Sequence, residues 1–234
     1  MNARFDTSKT TRRGFLKTST SAAGAVVGSL ALGRSAHAAG DDTLKVGLIG
    51  CGGRGTGAAG NALNADKNAK LVAAADAFGD RLQGCVKRLQ GKYGERVGVD
   101  EDHRFVGFDA YKKVIDSDVD VVILTTSPHF RPIHLKACID AGKHVFCEKP
   151  VAVDPTGVRS VMATAEEAKK KGLNIVSGLC WRYDTAVRET IKRVLDGAIG
   201  EVLSIQETYL TGTLWHRRRQ PDWTEMDYQM RNWL

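Results

Sequence analysis

Leu44-Lys45-Val46-Gly47-Leu48-Ile49-Gly50-Cys51-Gly52-Gly53-Arg54-Gly55 decides the fold. The apolar run Leu44 to Ile49, broken by one glycine, passes at once into glycines 50, 52, 53 and 55 and then an alanine-rich stretch to Asn64. That order reads as strand, tight turn and helix. In Gly50-x-Gly52-x-x-Gly55 the first glycine permits a sharp turn, the second lets a pyrophosphate approach the backbone, and the third lets helix pack on strand. The helix N-terminus offers free N–H groups and the positive end of its dipole to phosphates. Gly53 and Arg54 fill the positions between and join the same candidate nucleotide site. Among 25 glycines such a pattern arises easily; its setting between strand and helix is what gives it meaning.

Working outward, Leu71 to Ala75 reads as a second buried strand ending at Asp76, 26 residues past Gly50. A carboxylate there can accept hydrogen bonds from both adenosine-ribose hydroxyls and repel a 2′-phosphate, which favours NAD over NADP. Asp76 also suits a helix cap, and Arg54 or Arg81 could neutralise a phosphate, so NADP stays open. No Gly-Lys-Ser/Thr follows the turn, which excludes a kinase-type phosphate loop.

Leu82, Cys85, Val86 and Leu89 mark one face of a helix closed by Gly91. Arg104 to Val106 is a weak third strand, after which Asp109 can cap a short helix through Ile115. Val119 to Thr125 is apolar nearly throughout, as expected of a parallel strand covered on both faces. Pro132 starts the next helix, which ends at Ala141-Gly142, and His144 to Cys147 is the fifth strand. Asp154-Pro155 caps a helix whose buried stripe is Val158, Val161, Ala165 and Ala168, and Asn174 to Ser177 is the sixth strand. The expected fold is α/β: a doubly wound parallel sheet of the Rossmann dinucleotide-binding type over residues 41–184, with right-handed crossovers.

The pattern changes after Asp184. Val187, Ile191, Val194 and Leu195 define a helix ending at Gly197, and Val202 to Leu210 alternates like a half-buried strand. Residues 185–234 therefore read as a hinge helix and the incomplete start of an α+β second domain. Trp215-His216-Arg217-Arg218-Arg219 is expected to be a solvated loop or an oligomer contact, with Trp223 and Trp233 as packing residues. His129 is taken as structural or solvent-facing.

Composition fits a globular chain: 42% hydrophobic and 26% charged residues exclude disorder, collagen and a membrane bundle. The net charge of +7 is uneven, because residues 1–38 hold six basic side chains against Asp6 alone. The remainder is close to balanced, so nucleic acid is not an expected partner. Thr11-Arg12-Arg13-Gly14-Phe15-Leu16-Lys17, the small apolar run Ala22 to Leu32 and Ala36-His37-Ala38 follow the order of a cleaved leader. The paired arginines with Phe-Leu-Lys resemble a twin-arginine signal, which implies folding and cofactor loading in the cytoplasm before export to the periplasm or beyond. The run is too short to span roughly 30 Å of hydrocarbon, so no stable membrane span is expected. Cys51, Cys85, Cys138, Cys147 and Cys180 show neither C-x-x-C nor metal-ligand spacing, and are expected as buried thiols with no metal site.

Ser127-Pro128 after the fourth strand, His134 in the following helix, and Ala141-Gly142-Lys143-His144-Val145-Phe146-Cys147-Glu148-Lys149-Pro150 together resemble the glucose-fructose oxidoreductase and myo-inositol dehydrogenase (Gfo/Idh/MocA) family. Gly178-Leu179-Cys180-Trp181-Arg182-Tyr183 and Gly200-Glu201-Val202 resemble that family's hinge and entry to its second domain. The resemblance implies that Gly50, Gly52, Gly55 and Asp76 hold the adenosine diphosphate half of NAD. Ser127, Pro128 and His134 would line the path to the nicotinamide ribose, and Glu148-Lys149-Pro150 would place Lys149 beside nicotinamide and substrate. An ammonium there can stabilise developing alkoxide charge as hydride leaves, so Lys149 is the candidate catalytic group. Read from the residues alone, His134 suits a backbone-bonded helix position as well as a cofactor contact. Arg182 and Tyr183 are candidate substrate contacts, although Arg182 equally suits a pairing with a neighbouring acid.

The resemblance further implies an Asp-x-x-x-His motif in the second domain, whose histidine partners the lysine. No such spacing follows Gly200 and only 35 residues remain, so a truncated member is expected, with little or no turnover. The implied activity of the complete protein is NAD(P)-dependent hydride transfer with a sugar, polyol or related hydroxylated substrate, in a homo-oligomer. Two other readings stay open: a non-catalytic dinucleotide-binding or scaffold protein, and a lyase or glycoside hydrolase that uses tightly bound NAD for transient oxidation.

Overall fold

The computed structural model describes residues 43–233; the leader reading falls outside them. Six strands, β1 (Leu44–Ile49), β2 (Ala69–Asp76), β3 (Arg104–Val106), β4 (Val121–Leu124), β5 (His144–Cys147) and β6 (Ile175–Ser177), form one sheet. The helices are α1 (Gly53–Ala65), α2 (Gly79–Tyr93), α3 (Ala110–Asp116), α4 (Arg131–Asp140), α5 (Pro155–Lys170), α6 (Thr185–Leu195) and α7 (Glu225–Arg231). Every strand pairing is parallel and the spatial order is β3-β2-β1-β4-β5-β6. Consecutive strands move one way from β1 to β3, then the chain crosses to β4 on the other side of β1. The crevice between the C-terminal ends of β1 and β4 is thus the switch point at which such sheets bind ligands.

Two cores sandwich the sheet. Leu63 of α1 and Leu82, Val86 and Leu89 of α2 pack with Val46, Leu48 and Ile123 on one face. Val114 of α3, with Leu135 and Ile139 of α4, packs with Ile49, Val122, Leu124 and Val145 on the other. Because apolar side chains are needed on both faces, the central strands are nearly continuous apolar runs.

Local chemistry explains most boundaries. Asp154 accepts the Gly157 N–H at 2.6 Å and caps α5. Gly142 ends α4 with φ +74°. Helix α2 runs past Gly91 to Tyr93, because the left-handed residue that stops it is Gly94, φ +57°. On α5 Thr164 and Ala168 are buried and Val161 is half-buried against the core; Val158 and Ala165 face solvent. The Thr164 hydroxyl can be buried because it donates to the Ser160 carbonyl at 2.9 Å.

Beyond Asp184 the expectations fare less well. α6 forms where predicted and is capped by Asp184, but none of its residues is buried. Val202 to Leu210 forms no strand and is exposed throughout. A half-buried strand needs a neighbour to satisfy its backbone and an apolar layer to cover one face, and the described residues supply neither there.

Four of the five thiols are buried, and Cys180 is exposed. Burial pushes Cys138 up to about 12 and Cys147 up to about 11, away from the reactive thiolate. Titration of the native protein with a thiol-specific disulfide reagent should therefore modify Cys180 alone, and denaturant should release the others. Native reactivity that survives Cys180→Ser would contradict this packing.

Candidate dinucleotide-binding site

The turn between β1 and α1 is built by exclusion of side chains. Gly50 has φ +99°, and a Cβ on it would lie 2.6 Å from the Thr126 nitrogen. At Gly55 a Cβ would stand 1.8 Å from the Gly50 carbonyl oxygen, so α1 can start against the turn only if position 55 is bare. Around Gly52 and Gly53 a Cβ would meet nothing within 4 Å. These two open instead onto a cavity of about 380 Å³. The sterics match a turn that brings phosphates against backbone at the first turn of a helix lacking acidic residues there.

Asp76 lies on the same cavity and is buried. Its carboxylate accepts from the Cys51 N–H at 2.6 Å and the Phe78 N–H at 2.9 Å, which fixes it at the end of β2. Burial raises its pKa, against those two hydrogen bonds and the charge of Arg81. Ser127 and His134 join the cavity at the β4 end, whereas Pro128 is buried beneath that turn. The Thr125 hydroxyl donates to the Gly50 carbonyl at 2.6 Å and joins the two strands at the switch point.

His134 is stacked on Tyr111, with ring centroids 4.2 Å apart, and on Phe130 at 5.9 Å. Burial pushes its imidazole down to about 4, so it is neutral at pH 7. A depressed folded-state pKa favours the neutral, folded form. The stabilisation is present in full above about pH 6.5 and is lost as pH falls toward 4, on the order of 3 kcal/mol. Urea unfolding at pH 7.5 and 4.5 should show the wild type losing about 2–3 kcal/mol more than His134→Phe. Equal losses in the two proteins would refute the assignment.

Glu148 and Lys149 do not line the cavity. Glu148 is buried and ion-paired to Arg54 at 2.5 Å, an arrangement that gives Arg54 a carboxylate before any phosphate arrives. Gly178 leaves room for it, since a Cβ there would lie 2.7 Å from the carboxylate. Lys149 is exposed, forms no side-chain hydrogen bond or ion pair among the described residues, and precedes a cis Lys149–Pro150 bond. Arg182 and Tyr183 are exposed in a 3-10 turn, Cys180–Tyr183. Tyr183 borders a separate apolar depression on the α1 face of the sheet. The structure therefore gathers the adenosine and phosphate candidates with Ser127 and His134, and leaves Lys149, Arg182 and Tyr183 outside.

Three contributors escaped sequence reasoning. Arg131 is buried and donates to the Glu148 carbonyl at 2.7 Å, the Thr126 carbonyl at 2.8 Å and the Pro150 carbonyl, so one guanidinium holds the ends of β4 and β5 together. Its sequence signal is nil beyond its place before Pro132. Thr125 carries the weak signal of a polar residue ending an apolar strand. The third is the segment after Trp215. Its residues 215–219 are exposed and belong to no helix or strand, as expected of a solvated loop, yet Trp215 and Arg217, together with Met230 and Trp233, form one wall of the cavity. Arg231 anchors that wall: its guanidinium stacks between the Phe78 and Trp223 rings, at 4.0 and 4.6 Å, and bonds Asp80 twice at 2.8 and 3.0 Å. Trp223 is thus a packing residue as expected, but Trp233 also faces the cavity.

Known proteins align with this arrangement. The chain is 32% identical to inositol 2-dehydrogenase of Rhizobium meliloti (strain 1021) over 160 residues, which are 68% of this chain and 43% of that protein. Over 158 residues it is 30% identical to myo-inositol 2-dehydrogenase of Thermotoga maritima, covering 68% of this chain and 42% of the relative. The crystal structure of scyllo-inositol dehydrogenase from Lactobacillus casei, with NAD(H) and scyllo-inositol bound, superposes with a TM-score of 0.55 at 26% identity, covering 68% of this chain and 43% of that one. The chain thus spans less than half the length of these relatives. The profile of the Gfo/Idh/MocA oxidoreductase family, NAD-binding Rossmann fold, matches residues 44–175. That match takes in the whole glycine turn, Asp76 and the Glu148-Lys149-Pro150 segment, and the chain belongs to the Gfo/Idh/MocA oxidoreductase family.

Proposed function

We propose that this chain is the NAD-binding part of an exported oxidoreductase that transfers hydride between nicotinamide and a hydroxyl of a polyol or sugar. The observation that carries the reading is the side-chain-free turn at Gly50–Gly55 facing Asp76 across one cavity at the switch point of the sheet. Gly52, Gly53 and the first turn of α1 would hold the pyrophosphate, and Asp76 would accept from the adenosine ribose. Ser127 and the neutral His134 would border the nicotinamide ribose. The chemistry supplied by bound NAD is acceptance of a hydride from a carbinol carbon. Lys149 would hydrogen-bond the reacting hydroxyl and stabilise its alkoxide character, while Arg131, by tying down the carbonyls on either side of Lys149, positions it. The inositol specificity named for the relatives supports a cyclic polyol as the first substrate class to try. The twin-arginine-like leader supports export of a folded, loaded protein, and homo-oligomerisation is part of the same proposal.

Because Lys149 is exposed and without a partner among the described residues, we also infer that this chain by itself binds dinucleotide with little turnover. Calorimetric titration with NAD should show binding that Asp76→Ala weakens roughly tenfold. With myo-inositol and scyllo-inositol added, absorbance at 340 nm should rise slowly or not at all. Absence of NAD binding would overturn the dinucleotide reading; rapid NADH formation by this chain that persists in Lys149→Ala would overturn the role of Lys149.

A further inference from the structure

We infer that Arg54 is a positioning residue for Lys149, acting through the carboxylate of Glu148, so that the first turn of α1 sets the place of that lysine as well as facing the pyrophosphate. This rests on the role proposed above for Lys149.

Arg54 belongs to the glycine turn and Glu148 to the end of β5, 94 residues further on. Nε and Nη2 of the guanidinium both donate to Glu148 Oε1, at 2.6 and 2.5 Å. The other oxygen, Oε2, accepts the Lys149 N–H at 3.1 Å. The carboxylate is thus divided, one oxygen for Arg54 and one for the backbone of the lysine. Only 4% of the Glu148 side chain is exposed, against 51% for Arg54. A buried carboxylate deprived of its cation takes up a proton or turns toward water, and either response weakens the bond to Lys149.

Room is kept for this arrangement at Gly178. A Cβ there would lie 2.7 Å from Oε1, 2.8 Å from Cδ and 3.0 Å from Oε2. Gly178 does not have a positive φ, so it is the carboxylate, not the backbone angle, that needs the position bare. Its N–H donates to the Cys147 carbonyl at 2.9 Å, which fixes it beside Glu148.

The segment is gripped from both faces of the sheet. From α4, Arg131 bonds the carbonyls of Glu148 and Pro150, the main-chain groups on either side of Lys149. From α1, on the opposite face, Arg54 holds the Glu148 side chain. The Lys149 ammonium is exposed and has no partner of its own among the described residues, so these contacts to its backbone are what place it. Stability alone does not account for the pair, because an apolar pair of similar volume often serves a fold as well as a buried ion pair or better. What the pair adds is a fixed direction. It joins a residue lining the dinucleotide cavity to the residue that would act on the substrate hydroxyl.

The test is residue-resolved amide hydrogen exchange, measured by NMR on the complete chain without nucleotide, in wild type, Arg54→Gln, Arg54→Lys and Gly178→Ala. Arg54→Gln should accelerate exchange at Lys149 about tenfold beyond any change at Leu48 and Ile123 in the sheet. Arg54→Lys should recover part of the protection, since it restores the charge without the fork. Gly178→Ala keeps both charges but displaces the carboxylate, and should accelerate Lys149 in the same way. The double variant Arg54→Gln/Gly178→Ala should add little to either single change, because both act on one carboxylate. With no nucleotide present, contact between Arg54 and a phosphate cannot produce these effects. Lys149 exchange unmoved by Arg54→Gln, or acceleration spread evenly over the sheet, would overturn the inference while leaving NAD binding intact. A parallel calorimetric titration in which the wild type binds no NAD would instead overturn the dinucleotide reading, and the role of Lys149 with it.

Discussion

Gly55→Ala should abolish nucleotide binding and cost the fold about 3 kcal/mol, whereas Gly52→Ala should leave stability nearly unchanged and weaken binding. The two glycines share one turn, but their surroundings differ. A methyl group at position 55 would sit 1.8 Å from the Gly50 carbonyl oxygen and 2.6 Å from the Thr125 hydroxyl. Both are fixed: Gly50 by its positive φ and its N–H bond to the Ala75 carbonyl, Thr125 by its bonds to the Ile49 and Gly50 carbonyls. Relief requires α1 to move off the sheet, which opens the core around Ala58, Ala59 and Leu63 and dismantles the turn. Gly52, in contrast, has extended backbone angles open to any residue, and its Cβ would point into free space. There the methyl occupies room that a pyrophosphate needs. Thermal melts and NAD titration on the two variants separate the cases; a Gly55→Ala protein that melts and binds like wild type would show that the turn is not packed as described.

Arg131→Met is expected to have the second largest effect. Its guanidinium bonds the carbonyls of Thr126, Glu148 and Pro150, which belong to two different strand ends. Methionine approximates its volume but donates nothing, so acceptors within the protein lose their donor. Each buried loss costs roughly 1–3 kcal/mol and the three are not additive, which puts the total at about 3 kcal/mol. The more informative readout is local. Amide hydrogen exchange at Lys149 and Val151 should accelerate well beyond the global change, because the segment carrying Lys149 is no longer held to the β4 end. Arg131→Lys should recover little, since an ammonium on a flexible stem does not reproduce a planar fork reaching three carbonyls. Uniform acceleration of exchange across the sheet would mean that Arg131 only stabilises and does not position.

The two predictions mark the division between what is local and what is not. The strand–turn–helix at residues 44–65, the acid ending the second strand and the alternation of apolar runs with capped helices are properties of contiguous residues. Period, turn chemistry and caps act within a few positions, and these were legible from β1 to β6, with errors at Gly91 and on the α5 stripe where two adjacent choices differ by a single turn of helix. The same holds for the nucleotide candidates, because glycine spacing and the Asp76 offset are read along the chain.

Arg131, the Arg54–Glu148 pair and the wall formed by Trp215, Arg217 and Trp233 are another matter. A single arginine before a proline, or a Trp-His-Arg-Arg-Arg run, carries no periodicity that distinguishes a solvated side chain from one folded against a strand end many residues away. Only packing decides that Arg231 reaches Asp80 and two aromatic rings, and so brings Arg217 to the cavity. Val202 to Leu210 shows the converse: its alternation is genuine, yet a strand exists only where another backbone accepts its hydrogen bonds. The sequence by itself determined the doubly wound sheet and the place of its nucleotide turn, since these follow from interactions between near neighbours in the chain. Which charges surround that turn was decided by the tertiary structure, because a salt bridge or a stacked guanidinium depends on distances in space that no spacing along the sequence encodes.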